Sequence, residues 1–221
     1  MAQEVAPVEA PHDSGGAGKR EGRVELLVAI LLGLAAVSTA WAAYQSSQYG
    51  GKVLEHFSQA NLNISNANAF YSTGDQIYLQ DQILFVEYSK AVNQGDNELA
   101  AYLHDSLMST ELAKAVDWWQ LPENIDTYDS PFVDQNPDYK ITAYDDASAL
   151  EDDTAAAFKG GQDAGATGDK FSLITVLLAG SLFVLGITNS FRVLTMRFVT
   201  IGIGAALFLG AAGWMLTLPR A

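Results

Sequence analysis

Three long apolar stretches restrict the folds open to this sequence more than any other feature. They cover residues 24–44, 170–191 and 198–218, and away from their ends they contain no Asp, Glu, Lys, Arg or His. Each is close to the roughly 20 residues that a helix needs to cross a hydrocarbon core of about 30 Å. We therefore expect three transmembrane helices in a lipid bilayer.

Basic residues predict the orientation of these helices. Five of them flank the apolar stretches, within residues 1–23 and 192–197: Lys19, Arg20, Arg23, Arg192 and Arg197. The positive-inside rule assigns such segments to the cytoplasm. We expect a multi-pass protein of the inner (plasma) membrane with a disordered cytoplasmic tail (1–23), a cytoplasmic link (192–197) and an extracytoplasmic segment (45–169). Arg220 falls on the opposite side and is outnumbered.

A cleaved signal peptide is the alternative reading of the first apolar stretch, with Ser38-Thr39-Ala40 as the small-residue cleavage site. The stretch is longer than the usual apolar region of about 7 to 15 residues, and the segment before it is long. An uncleaved signal-anchor helix is favoured.

The segment between the first two spans is strongly acidic. Residues 45–169 hold 21 Asp and Glu against five Lys and no Arg, a net charge of −16. Binding to a phosphate backbone needs Lys and Arg to displace condensed counterions, so we expect no nucleic-acid partner. The chain has no cysteine, which excludes disulfides, thiolate metal sites and cysteine nucleophiles.

Apolar residues at alternating steps of three and four predict that this segment is helical. A first helix carries such a seam, which the polar Asp81 interrupts: Val53, Phe57, Ala60, Ile64, Ala67, Tyr71, Gly74, Tyr78, Phe85, Tyr88 and Val92. A second helix is expected to run from about Leu99 to Leu121-Pro122. A third begins near Ile141 and fades at Gly160-Gly161. The prediction is an all-α fold in which an antiparallel bundle is continuous with spans one and two.

Two glycine-containing places are expected to weaken these helices. Gly50-Gly51 is the predicted bend in the first helix, since paired glycines destabilise a helix. The glycines from Gly160 to Gly168 are predicted to form a flexible connection into span two.

The motifs that carry catalysis or bind cofactors are missing. The glycine run at residues 160–168 lacks the Lys-Ser/Thr ending of a phosphate loop, and no Gly-x-Ser-x-Gly elbow occurs. His56 and His104 are not preceded by Glu at the spacing of a di-iron bundle. The acidic clusters at 145–146 and 151–153 lack the ligand layout of an EF-hand. We predict a non-enzymatic protein with no cofactor and no metal.

Small residues in the spans are candidates for helix packing. Span three carries Gly202, Ala206, Gly210 and Gly213, and span one carries Gly33, Ala36 and Ala40. Such positions let helices approach closely in lipid, either within one chain or between subunits. Outside the spans, Trp118 and Trp119 form either an exposed contact patch or part of the core or its cap.

The ends of the spans carry a resemblance. Residues Ala40-Trp41-Ala42-Ala43-Tyr44-Gln45-Ser46-Ser47 end span one, and Gly168-Asp169-Lys170-Phe171-Ser172-Leu173 begin span two, with Gly186-Ile187 and Arg192 near the turn. In these patterns the chain resembles a group of prokaryotic three-span membrane proteins with a helical extracytoplasmic insert and no assigned activity. The resemblance implies fold and topology and no functional residues.

Two functions of different classes agree with these features. The first is a structural or accessory subunit that binds itself or a larger membrane complex through its spans and helical domain. The second is an extracytoplasmic ligand- or cation-sensing module that signals through a partner.

Overall fold

The computed structural model describes the backbone of residues 15–191 and 193–221 and the side chains of residues 22–191 and 193–221. Over this part of the chain the fold is all-α and contains no strand. It consists of α1 (Gly15–Gln94), α2 (Asn97–Tyr102), a π-helical turn (Leu103–Leu107), α3 (Thr110–Trp119), α4 (Pro122–Ile125), α5 (Thr142–Ile187), a 3-10 turn (Thr188–Ser190) and α6 (Leu194–Thr217). The predicted fold class is confirmed at this level.

Three of these helices, α1, α5 and α6, are long and apolar enough to cross a membrane. The first apolar stretch lies wholly within α1, the second lies within α5 and the 3-10 turn as far as residue 190, and the third lies within α6 as far as residue 217. The predicted tail and link differ in part from the structure. Residues 15–23 are helical because α1 begins at Gly15, and α6 begins at Leu194, inside the predicted link. Residues 1–14 and Arg192 lie outside the described residues.

The described residues form two compact units. Unit 1 comprises the residues up to Leu54 and those from Gly161 onward, and unit 2 comprises Glu55–Gly160. Both α1 and α5 contribute residues to each unit.

Unit 1 is held by close contacts among α1, α5 and α6. Its buried cluster consists of Ala35, Ala42, Tyr49, Ala164, Phe171, Ile174, Leu178, Phe208 and Ala211. The ring of Tyr49 stacks on Phe171 with centroids 5.9 Å apart, and its hydroxyl donates a 3.0 Å hydrogen bond to the carbonyl of Pro219. The hydroxyl of a buried tyrosine needs such a partner, so this contact ties the end of the chain to α1.

Gly204 marks the closest approach of α6 to α5. A Cβ at this position would lie 2.6 Å from Cγ of Leu185, which is fully buried. The hydroxyl of Ser181 donates a 2.8 Å hydrogen bond to the Gly204 carbonyl. Only glycine permits both contacts at this separation.

Aromatic rings fill the core of unit 2. Phe85 meets Trp119 and Phe132 edge to face, with centroids 5.2 Å and 5.5 Å away, and Phe132 meets Tyr139 at 4.9 Å. The irregular segment after α4 therefore contributes two of the core rings. Edge-to-face pairs at such distances add stability beyond the apolar area they bury.

The seam predicted on α1 is largely confirmed. Ala60, Ala67, Phe85 and Tyr88 are buried, but Ile64 and Val92 are exposed. The positions one residue earlier, Asn63 and Ala91, are buried instead. A straight α-helix repeats every 3.6 residues, so a strict 3.5-residue register drifts off the packed face.

The single second helix predicted for residues 99–121 is wrong. Met108 is extended, and the Ser109 side chain caps a new helix by accepting a 3.1 Å hydrogen bond from the Leu112 amide. The signal was present in the sequence, because Ser109 with Glu111 in the first turn is a typical N-terminal pattern.

The segment from Gly160 to Gly168 lies within α5 and is not a flexible connection, and two of its glycines are in close contact with α1. A Cβ on Gly160 would lie 2.7 Å from the His56 ring, and one on Gly168 would lie 3.2 Å from Cβ of Tyr49. The helix continues through both glycines. At each of them a neighbouring side chain occupies the space that a larger residue would need. Gly50-Gly51 lies within α1 without a break in the helix.

Candidate functional site

The small residues predicted as packing positions all lie on exposed faces of the spans. Among the described residues, no atom lies within 4 Å of a Cβ position on Gly33, Gly202, Gly210 or Gly213, and Ala36, Ala40 and Ala206 are exposed as well. Packing within unit 1 uses other small residues, among them Ala35, Ala42, Gly204 and Ala211. Of the two readings left open by the sequence, packing within the chain does not account for the predicted set.

Helix geometry separates the two sets. At about 100° per residue, Gly202, Ala206 and Gly210 share one face of α6, and Gly204 lies about 200° away from Gly202. In α1, Gly33 and Ala35 are separated by the same angle. The apolar parts of α1 and α6 thus each have a face packed within the chain and an opposite face with small side chains.

Trp118 and Trp119 are half-buried and pack within unit 2. The indole of Trp119 contacts Phe85, and its N–H donates a 2.7 Å hydrogen bond to the Tyr128 carbonyl. Trp118 stacks on the Tyr128 ring at 5.5 Å. This packing accounts for both indoles, and their use as a contact patch for a partner stays a prediction.

An apolar patch on α1 was missed in the sequence. Leu79, Ile83 and Val86 are 58%, 65% and 48% exposed and follow one another at steps of four and three, which places them on one helix face. Large exposed apolar residues grouped in this way on an acidic unit indicate an interaction surface. The signal was available as a second apolar stripe beside the seam.

A cleft in unit 2 surrounds the buried carboxyl group of Asp81. Its volume is about 480 Å³, and its lining includes Gln80, Asp81, Glu111 and Lys140 on the polar side. The other lining residues are the apolar Ile77, Leu84, Leu107, Met108, Ile141 and Ala143 and the hydroxyl-bearing Ser109 and Thr142. Clefts of a few hundred Å³ that combine apolar surface with a few polar groups are typical of small-molecule sites.

Asp81 is only 5% exposed, and Tyr139 is its hydrogen-bond donor. The Tyr139 hydroxyl lies 3.2 Å from Oδ2 of Asp81. Burial raises the pKa of Asp81 above its ordinary value, the Tyr139 hydrogen bond opposes this, and the negative charge of Glu111 adds to it. Burial and the neighbouring Asp81 raise the pKa of Tyr139 in turn, so the phenol keeps its proton.

His104 lies among carboxylates and is partly buried. Its Nδ1 is 2.7 Å from Oδ1 of Asp105, and its Nε2 is 3.1 Å from Oδ1 of Asp117 without the alignment of a hydrogen bond. The hydrogen bond to Asp105 raises the pKa of His104, partial burial opposes this, and the charges of Asp117 and Asp105 reinforce it.

Within residues 22–191 and 193–221, no three His, Asp or Glu side chains come together in a way that could hold a metal ion. Comparison with family models, with curated proteins and with solved structures finds no match. The resemblance to a prokaryotic three-span group therefore stays a prediction. What the chain does has to be inferred from its own residues.

Proposed function

We propose that this chain is a non-enzymatic, multi-pass protein of the plasma membrane that acts as a structural or accessory subunit by associating with a second copy of itself. In this proposal the N-terminus is cytoplasmic and residues 45–169 are extracytoplasmic, as the distribution of Lys and Arg favours.

The observation that carries the proposal is the unused small-residue face of two spans. A glycine on a helix surface does not improve packing against lipid chains. It does allow another helix to approach closely, and van der Waals contact at short range is a main driving force for helix association in a bilayer. Gly202, Ala206 and Gly210 lie on a face that no described residue of the chain covers. A second helix could approach there as closely as α5 approaches α6 at Gly204.

The apolar patch on α1 supports the same proposal. Leu79, Ile83 and Val86 lie in a unit whose many carboxylates keep it soluble, so a contact with another subunit is the simplest use for three exposed aliphatic side chains on one face.

The test is the particle mass in lipid nanodiscs or mild detergent, measured for the wild type and for the double variant Gly202→Leu, Gly210→Leu. We expect an oligomer of the wild type and a shift toward monomer in the variant, with unchanged helix content. Val176→Phe is the matched control, because it enlarges a side chain that is 66% exposed on α5, away from the small-residue face of α6.

Other outcomes contradict the proposal. A wild-type monomer would argue against any assembly through the spans. Stable co-purification in a larger complex that lacks a second copy would replace self-association by an accessory role in that complex.

A ligand-sensing module is the second candidate function, and the cleft around Asp81 is the observation that favours it. In this reading unit 2 binds a small molecule and passes the change to a partner subunit.

A further inference from the structure

We propose that the cleft beside Asp81 is a binding site for a small primary ammonium ion that carries a short apolar chain. The inference goes beyond the proposed subunit role and does not depend on it, because every residue of the site belongs to unit 2.

Asp81 is a buried carboxyl group without a compensating cation among the described residues. A buried carboxylate is costly unless a cation or several hydrogen bonds compensate it. Among the described residues, no Lys, Arg or His lies within ion-pair distance of Asp81, and the Tyr139 hydroxyl donates to Oδ2 alone. Lys140, which also lines the cleft, places its Nζ 3.0 Å from Oδ2 of Asp145.

Acidic side chains give the cleft a negative electrostatic potential. Glu111 lines the same space, and unit 2 as a whole has many more acidic than basic residues. A cavity with walls of low dielectric concentrates such a field and attracts cations. An anionic ligand would meet two carboxylates, and a neutral one would leave Asp81 uncompensated.

The polar groups of the cleft suit an organic cation better than a metal ion. Calcium takes six to eight oxygen ligands, and magnesium demands octahedral geometry. The side chains of this cleft offer the carboxylates of Asp81 and Glu111, the amide of Gln80 and the hydroxyls of Ser109 and Thr142, without a third carboxylate. An ammonium group needs only about three acceptors, since it carries three N–H donors. Asp81, Glu111 and Gln80 supply groups of that kind.

Part of the cleft wall is apolar. Ile77, Leu84, Leu107 and Met108 present aliphatic and thioether surface to the same cavity. Methylene groups of a ligand are removed from water when they are buried against such surface, which favours binding. The combination of a carboxylate at the base and an aliphatic wall matches an amine with a chain of about two to six carbons, which fits easily in about 480 Å³.

The experiment uses the full chain in nanodiscs of zwitterionic lipid and isothermal titration with n-butylammonium. Butanol and butyrate of equal chain length are the neutral and anionic comparisons. We expect saturable binding of the ammonium ion alone. Asp81→Asn is expected to weaken it at least about tenfold, in line with the loss of a charge-assisted hydrogen bond, and Glu111→Gln to weaken it less.

Asp152→Asn is the matched control, because it makes the same change at an exposed residue of unit 2 that does not line the cleft. Its binding should equal that of the wild type, which also accounts for partition of the amine into the bilayer. Thermal unfolding of each variant verifies the fold, and the exposed Glu111 gives a second variant should Asp81→Asn unfold.

Four results would overturn the inference. They are equal binding of butanol, unchanged binding in both Asp81→Asn and Glu111→Gln, saturable binding of Ca²⁺ that excludes the amine, and no saturable binding of any ammonium ion of two to six carbons. None of these depends on the oligomeric state, so the inference and the subunit proposal can fail separately.

Discussion

The hydroxyl of Tyr139 donates a 3.2 Å hydrogen bond to Oδ2 of Asp81, a residue 58 positions earlier in the sequence. The bond joins the irregular segment before α5 to the C-terminal part of α1. It holds the one carboxyl group in the core of unit 2, where the helical seam would otherwise place an apolar side chain.

Asp81→Asn should make unit 2 more stable at neutral pH. Burial raises the pKa of Asp81, so its ionised form is disfavoured in the folded state, while an amide carries no charge and can still accept the bond from Tyr139. The gain should be on the order of 1 kcal/mol, the usual size of a single-site effect.

Thermal unfolding of the full chain as a function of pH measures this effect. A group whose pKa is raised on folding contributes stability below its unfolded value, here 3.8, and loses it as the pH rises through the folded value. The difference between variant and wild type should therefore vanish in acid and grow toward neutral pH. A variant that is less stable at pH 7 would show that the ionised carboxylate is favourable.

The sequence predicted the helical class, the three apolar helices and most of the α1 seam, because burial follows the spacing of apolar residues along a helix. It identified Asp81 as an interruption of that seam but did not indicate why a carboxyl group is there. The partner Tyr139 and the cleft come from a distant segment, and no local pattern specifies such a contact. The predicted hinge at Gly160 and Gly168 failed because glycine also permits close approach, which local sequence cannot distinguish from flexibility.

Gly204→Ala should destabilise unit 1, whereas Gly202→Ala should not. The new Cβ at residue 204 would lie 2.6 Å from Cγ of the buried Leu185, and at residue 202 it meets nothing within 4 Å. Overpacking of this kind costs about 1–3 kcal/mol. Unfolding of both variants in the same detergent compares them directly, and equal midpoints would mean that α5 and α6 separate without cost.

Trp119→Ala should cost unit 2 about 3 kcal/mol, toward the low end for a large aromatic residue because the side chain is half-buried. The change removes the edge contact to Phe85 and the hydrogen bond to the Tyr128 carbonyl. Trp118→Ala is the matched comparison, since it loses only the stacking on Tyr128 and should cost less. Chemical denaturation followed by far-UV circular dichroism ranks the two, and the reverse order would place the more important indole at residue 118.

The ion pairs of His104 should make the stability of unit 2 fall as the pH rises above about 6.5. The hydrogen bond to Asp105 and the charge of Asp117 raise the pKa of His104 in the folded state. The protonated ring therefore contributes stability that is complete below its unfolded value of 6.5 and is lost as the pH rises through the folded value. Because both carboxylates are largely exposed, the contribution should be at most about 1 kcal/mol.

The double variant Asp105→Asn, Asp117→Asn removes both charges while leaving the imidazole in place, so its unfolding midpoint should change less between pH 6 and pH 8 than that of the wild type. Lys90 and Glu87 form an exposed pair 2.7 Å apart. Glu87→Gln provides a comparison, because it removes a carboxylate that does not pair with His104 and should leave the pH dependence unchanged. Proton NMR of the His104 ring in both proteins gives the titration directly. A ring that titrates at the same pH in the double variant and the wild type would show that the carboxylates do not hold its proton.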